Sequence, residues 1–128
     1  MILVDTSVII DALRRPDPRM QQTFVAHAAA ICGVTRAEVL YGARDDADYG
    51  KLRSALASLP QVPIPESLWD RVGYNLYLLR THGVTVPFQD VVIATVAIVN
   101  GIELWTRDGQ FAFIRSVLPA LRLFQEPP

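Results

Sequence analysis

Four acidic residues, Asp5, Glu38, Asp90 and Asp108, each sit where a short apolar run ends or a helical pattern begins. In a parallel α/β sheet the C-terminal ends of the strands and the N-termini of the following helices lie along one edge. Residues distant in sequence, but all at such junctions, can therefore converge in one cleft. Four carboxylates gathered in this way repel one another strongly unless a cation sits among them. An acidic, all-oxygen donor set suits a hard divalent ion such as Mg²⁺ or Mn²⁺. The chemistry expected of this chain is therefore that of a carboxylate-held metal.

Each acid also has an ordinary structural reading. Asp5 can cap the helix that begins at Thr6. Thr35-Arg36-Ala37-Glu38 matches a capping box, in which the Glu reaches back to the N–H of the cap residue. Asp90 stands at the start of an apolar helix and suits the positive end of its dipole. Asp108-Gly109 is a common turn pair. The pattern carries more than its members, because caps need not be acidic and a cap does nothing to relieve repulsion from three similar neighbours. Asp45, Asp46, Asp48, Glu66 and Asp70 fall on polar surfaces and call for no further account.

Other chemistries find little support. The chain has no Gly-rich phosphate loop, no GxSxG elbow and no HExxH. A phosphotransferase built on Asp-x-Asp after its first strand is also excluded, since Asp5 is followed by Thr6-Ser7. His27 and His82 lack partners in sequence and are expected at the surface near helix ends. Cys32, the single cysteine, rules out an internal disulfide and is expected to be a small core residue. Net charge is −1, but without the four junction acids 12 basic residues face nine acids, a balance of +3. All but one of those basic residues are arginine, Lys51 being the sole lysine, and arginine is the better bidentate phosphate ligand.

The elements that must position these acids follow from hydrophobic patterning. At 128 residues, 51% of them hydrophobic, the chain is expected to form a single domain, 1–128, around one core. Ile2–Val4 reads as a buried strand. Val8, Ile9, Ala12 and Leu13 then recur at helical spacing, and Pro16 and Pro18 end that helix. A second helix is expected over 19–27, a strand over 31–34, and helices over 35–43 and 47–58. A short strand over 62–64 precedes the longest amphipathic pattern, 66–82, capped by Gly83. Residues 91–99 are apolar nearly all round and read as a central buried helix, well short of the ~20 residues a membrane span needs. Residues 102–106 form a strand, 111–117 a helix and 121–124 a last strand. Short strands alternating with helices argue an α/β fold with a mostly parallel sheet. Met-Ile-Leu-Val-Asp offers no basic region before its acid, so no signal peptide is expected, and a cytoplasmic protein fits.

Ile2-Leu3-Val4-Asp5-Thr6-Ser7, Glu38 followed by Tyr41-Gly42, Asp90 followed by Ile93-Ala94, and Thr106-Arg107-Asp108 closely resemble the PIN-domain family. In particular the chain resembles VapC-type toxins of bacterial toxin–antitoxin pairs, over nearly its whole length and with the motifs in order. The resemblance implies a three-layer α/β/α fold and an Mg²⁺- or Mn²⁺-dependent endoribonuclease. It further implies a homodimer, held inactive by a cognate antitoxin whose C-terminal segment wraps the toxin and enters its cleft. Carried over by position, Asp5, Glu38, Asp90 and Asp108 would form the metal site, with Thr6 and Thr106 as nearby hydroxyls. The chain departs from the pattern after Asp108, where relatives often have another Asp or a His and this one has Gln110. A second metal would thereby lose a ligand.

The expected reaction is hydrolysis by a metal-activated water, with Glu38 or Asp5 orienting it and a 5′-phosphate and 3′-hydroxyl as products. Arg36 and Arg107, close in sequence to the acids, are the candidates for phosphate contacts in the RNA substrate. The alternative from another class is a non-catalytic PIN-like module that binds protein or RNA. A metal-dependent DNA nuclease is a nearer rival, which the residues themselves do not distinguish. Tyr74 and Tyr77 on the long helix suit a dimer or antitoxin surface, or equally a core.

Overall fold

Three consecutive apolar residues, Ile2–Val4, form β1, the central strand of a three-stranded sheet with order β2-β1-β3. The computed structural model describes residues 1–128. Along the chain follow α1 (Thr6–Arg14), α2 (Pro18–Ala26), β2 (Ala29–Ala30), α3 (Gly33–Tyr41), α4 (Asp46–Ala57), α5 (Leu68–Thr81), α6 (Phe88–Asn100), β3 (Glu103–Trp105) and α7 (Gln110–Val117). Both neighbours pair with β1 in parallel, Ile2 opposite Ala29 and Glu103, Leu3 opposite Ala30 and Leu104, and Val4 opposite Trp105.

Because successive side chains of a strand point to opposite faces, this register sorts the core into two halves. Leu3, Ala30 and Leu104 face one cluster, with Val72 and Leu79 of α5, the apolar run of α6, and Phe111 and Ile114 of α7. Ile2, Val4, Ala29 and Trp105 face the other, with Val8 and Ile9 of α1, Met20 of α2, Val39 of α3 and Leu56 of α4. The result is the three-layer α/β/α arrangement with an all-parallel sheet. Helix α6 is its central helix: Asp90 through Ala97 are buried without a break. Gly101 stops it in the left-handed conformation (φ 63°), which glycine adopts without strain, and Ile102 N–H returns to the Ala97 carbonyl at 3.1 Å.

Several boundaries differ from the pattern-based expectation. The second strand is Ala29–Ala30 rather than 31–34, because Cys32 already caps α3 and Gly33 and Val34 are helical. The helix expected from Thr35 accordingly starts two residues earlier. The expected strand 62–64 reduces to an Ile31–Gln61 bridge, held by Ile31 N–H to the Pro60 carbonyl (3.0 Å) and Val62 N–H to the Ile31 carbonyl (2.8 Å). Pro63 and Pro65 lack the N–H donors needed to extend it. The last strand likewise reduces to a Leu104–Leu123 bridge, in which Leu104 N–H donates to Arg122 and Phe124 N–H to Leu104. Cys32 is buried and unpaired, and His27 and His82 are exposed helix C-caps, as expected. No helix is long and apolar enough to cross a membrane.

One buried polar pair locks α5 to α6. Asn75 Nδ2 donates to Thr95 Oγ1 at 3.0 Å, and Thr95 Oγ1 donates to the Val91 carbonyl at 2.7 Å. Thr95→Val leaves the buried Asn75 amide without its acceptor and is expected to lower stability by about 1–3 kcal/mol in urea unfolding. Adding Asn75→Leu should recover much of that loss, since removing both partners leaves no orphan. A double variant as unstable as the sum of the singles would refute this account of the pair.

Candidate acidic active site

The acidic cluster begins where β1 ends. Asp5 is the N-cap of α1, its Oδ1 accepting from Val8 N–H at 3.4 Å and from Ser7 Oγ at 2.6 Å. Its Oδ2 accepts from Thr106 Oγ1, also at 2.6 Å, on the loop after β3. Asp5 therefore does cap its helix, while the hydroxyl from residue 106 ties the same carboxylate to the far end of the chain. Burial pushes its pKa upward against these stabilising hydrogen bonds.

Glu38 lies on α3 and faces α1, where its Oε1 accepts from Thr6 Oγ1 at 2.8 Å. The capping-box reading of this residue fails. Cys32, with no side-chain cap bond, holds the N-cap position, and Thr35 is an interior helical residue whose buried hydroxyl has no partner. Asp90 is the third residue of α6 rather than its cap, which is Pro87. Asp108 follows β3; its Oδ1 accepts from Gln110 N–H at 3.0 Å, and its own N–H donates to Thr106 Oγ1 at 2.9 Å. The turn reading of Asp108 is thus also realised.

The electrostatics show that the four acids share one region. Asp90, 9% exposed, has its pKa pushed up to about 6, first by burial and then by the charges of Asp108, Glu38 and Asp5. None of the four takes part in an ion pair; the basic partners present serve Asp17, Asp48, Asp11 and Glu126 instead. Carboxylates crowded together without a cationic side chain are a donor set for a hard metal ion. No three of them are drawn tightly enough to enclose an ion by themselves.

The two arginines stand differently. Arg36 Nη1 donates to Gln61 Oε1 and is otherwise exposed. Arg107 is engaged by two acids: Nε and Nη2 donate to the two oxygens of Glu126 at 2.7 and 3.2 Å, and Nη1 donates to Asp11 Oδ2 at 2.9 Å. A phosphate contact by Arg107 would have to compete with both carboxylates. Ser7, absent from the residues chosen on sequence, proves central: it donates to Asp5 Oδ1 and accepts from Arg107 N–H at 3.0 Å. Its position two residues after a capping Asp was the available signal.

A parallel α/β/α fold with acids at the β1–α1 and β3–α7 junctions, on α3 and in the first turn of α6 defines the class. Residues 2–115 match the model of the PIN domain, and the chain belongs to that family. It is similar to Ribonuclease VapC18 of Mycobacterium tuberculosis (strain ATCC 25618 / H37Rv), with 29% identity over 122 residues, 89% of this chain and 87% of that protein. Its fold matches that of VapBC2 from Rickettsia felis bound to a DNA fragment from its promoter. That match has a TM-score of 0.84 at 22% identity, covering 97% of this chain and 98% of the other. DNA-bound VapBC from Salmonella typhimurium gives the same TM-score, 0.84, at 20% identity and the same coverage, 97% and 98%.

Proposed function

We propose that this PIN-domain protein is a divalent-metal-dependent endoribonuclease and the toxin of a toxin–antitoxin pair. The observation that carries the reading is Asp90, an acid pushed up to about 6 first by burial and then by the charges of Asp108, Glu38 and Asp5, with which it shares one region. Its likeness to a protein named a ribonuclease favours RNA as the substrate. Asp5, Glu38, Asp90 and Asp108 would hold Mg²⁺ or Mn²⁺. When bound, the metal supplies an activated water and neutralises charge at the phosphoryl oxygens.

The chain's own residues prepare that site. Ser7, Thr106 and the Val8 N–H hold the Asp5 carboxylate in one orientation, so that little ordering remains when a ligand arrives. Thr6 fixes Glu38 by donating to its Oε1. Glu38, half-buried and bonded through one oxygen, retains a second oxygen to accept a proton from an attacking water. Arg36 is the freer of the two arginines to meet a substrate phosphate. A cognate antitoxin and a second copy of the chain are the proposed protein partners. Support for such surfaces comes from Tyr74 and Tyr77, 56% and 52% exposed on α5, and from a small mixed groove beside Glu38, where Ile10, Leu13, Val39 and Leu52 are joined by Arg14, Arg44 and Asp48.

The test is incubation of antitoxin-free protein with total RNA in Mg²⁺, in Mn²⁺ and in EDTA. Cleavage that needs metal and leaves 5′-phosphate ends is expected. A 2′,3′-cyclic phosphate product would overturn the water-nucleophile mechanism. RNA binding without cleavage at any metal concentration would favour a binding module. Thr106→Val, which frees one oxygen of Asp5, is expected to weaken Mn²⁺ binding by roughly 10- to 100-fold, read by calorimetry.

A further inference from the structure

Glu126 lies near the C-terminal end, beyond the residues 2–115 that match the PIN domain, and yet it is bonded into the loop that carries the acidic site. Its Oε1 accepts from Trp105 Nε1 at 2.7 Å and from Arg107 Nε at 2.7 Å, and its Oε2 accepts from Arg107 Nη2 at 3.2 Å. One carboxylate thus grips two residues on either side of Thr106. From the other flank, Asp11 of α1 binds the same guanidinium at 2.9 Å. Arginine's planar fork is held by such paired acids in a fixed orientation.

What Arg107 does in that grip is set by its backbone. Its N–H donates to Ser7 Oγ, and Ser7 in turn donates to Asp5 Oδ1. The residue before it, Thr106, donates to Asp5 Oδ2, and the residue after it, Asp108, donates its N–H back to Thr106 Oγ1. Holding Arg107 still therefore holds the hydroxyl that orients one acid and the backbone that carries another. We infer that Glu126 is a positioning residue for the acidic site, acting through the Arg107 guanidinium to set the loop from Thr106 to Asp108. The inference rests on the metal-site reading above.

The side chains of Arg107 and Glu126 are 37% and 38% exposed, and Gln at 126 keeps an oxygen to accept from Trp105, so Glu126→Gln tests the grip on Arg107 with the indole still partnered. Glu126→Gln is expected to weaken Mn²⁺ binding by about 10-fold in calorimetry, as loss of an outer-shell support does. With RNA, kcat should fall while KM stays within about twofold, because the change lies in the site and not in substrate binding. Arg107→Met should give a similar loss, and the double variant should be no worse than either single, since the two act as one unit. Additive losses would overturn the route through Arg107. Unchanged Mn²⁺ affinity with a lower KM would also overturn it, showing that Glu126 restrains Arg107 from substrate instead. Wild-type protein that binds Mn²⁺ but leaves RNA intact would defeat the ribonuclease reading while the Mn²⁺ comparison still judged Glu126. Wild-type protein that bound no Mn²⁺ would defeat both.

Discussion

Asp5→Asn is expected to reduce metal-supported RNA cleavage by on the order of 10³-fold, because a lost metal ligand removes several kcal/mol of transition-state charge stabilisation. The fold should survive. Asparagine keeps an Oδ1 that can accept from Ser7 and Val8, so the cap of α1 persists. Its amide would replace Oδ2 opposite Thr106, whose hydroxyl can turn to accept instead. The thermal midpoint should therefore shift by only a few degrees while cleavage collapses. Rates from single-turnover assays, set beside thermal unfolding of the same preparation, check both halves. A variant that cleaves at more than a tenth of the wild-type rate would remove Asp5 from the reacting centre.

In metal-free buffer, stability should rise as pH falls from 7.5 to 5. Asp90 titrates at about 6 in the folded protein against 3.8 for a free Asp side chain. Between those values the folded state holds a proton that the unfolded chain releases. Its contribution is therefore complete below the free value and lost as pH rises through about 6, amounting to on the order of 2 kcal/mol. Asp5 is shifted in the same direction by burial. Glu126 and Asp48 are shifted downward, so their contributions fade only as pH falls into the ordinary carboxylate range or below. Urea unfolding at several pH values measures the slope. Asp90→Asn should flatten it, and millimolar Mg²⁺ should do the same in the wild type by neutralising the cluster. A wild-type protein whose stability drops steadily from pH 7.5 to 5 without metal would show that Asp90 is not under the strain described.

Much of the scaffold was legible because its strongest signals are local. The apolar run after Asp90 declared a buried helix, and Asp5-Thr6-Ser7 after Ile2–Val4 declared a strand passing into a capped helix. The failures came where two local readings competed. Residues 31–34 look like a strand, but Gly33 and Val34 are claimed by α3, whose start lacks any side-chain cap to announce it. Thr35 and Glu38 have capping-box spacing, yet tertiary contact with Thr6 takes the Glu side chain. The strand-like runs near 62 and 121 each add only one bridge; after Val62 the prolines at 63 and 65 end the pairing at once. Among the four acids, junction placement anticipates Asp5, Asp90 and Asp108, but not Glu38, which is the sixth residue of α3 and reaches the others from mid-helix. The grip of Glu126 and Asp11 on Arg107 could not be anticipated, as nothing local links residues 11, 107 and 126.

The central position of β1 has a bearing on how the protein is born. Its three strand residues are made well before one of the two neighbours they pair with, which ends at Trp105, and the hydroxyl that orients Asp5 comes from a residue 101 positions later. Contacts of such separation form late, after loop closure over most of the chain. A nascent chain that has made Asp5, Glu38 and Asp90 still lacks Asp108 and the strand that carries it to them. The acidic cluster is therefore not a local product of β1 and its helix: no growing chain that stops short of Trp105 and Asp108 can assemble it.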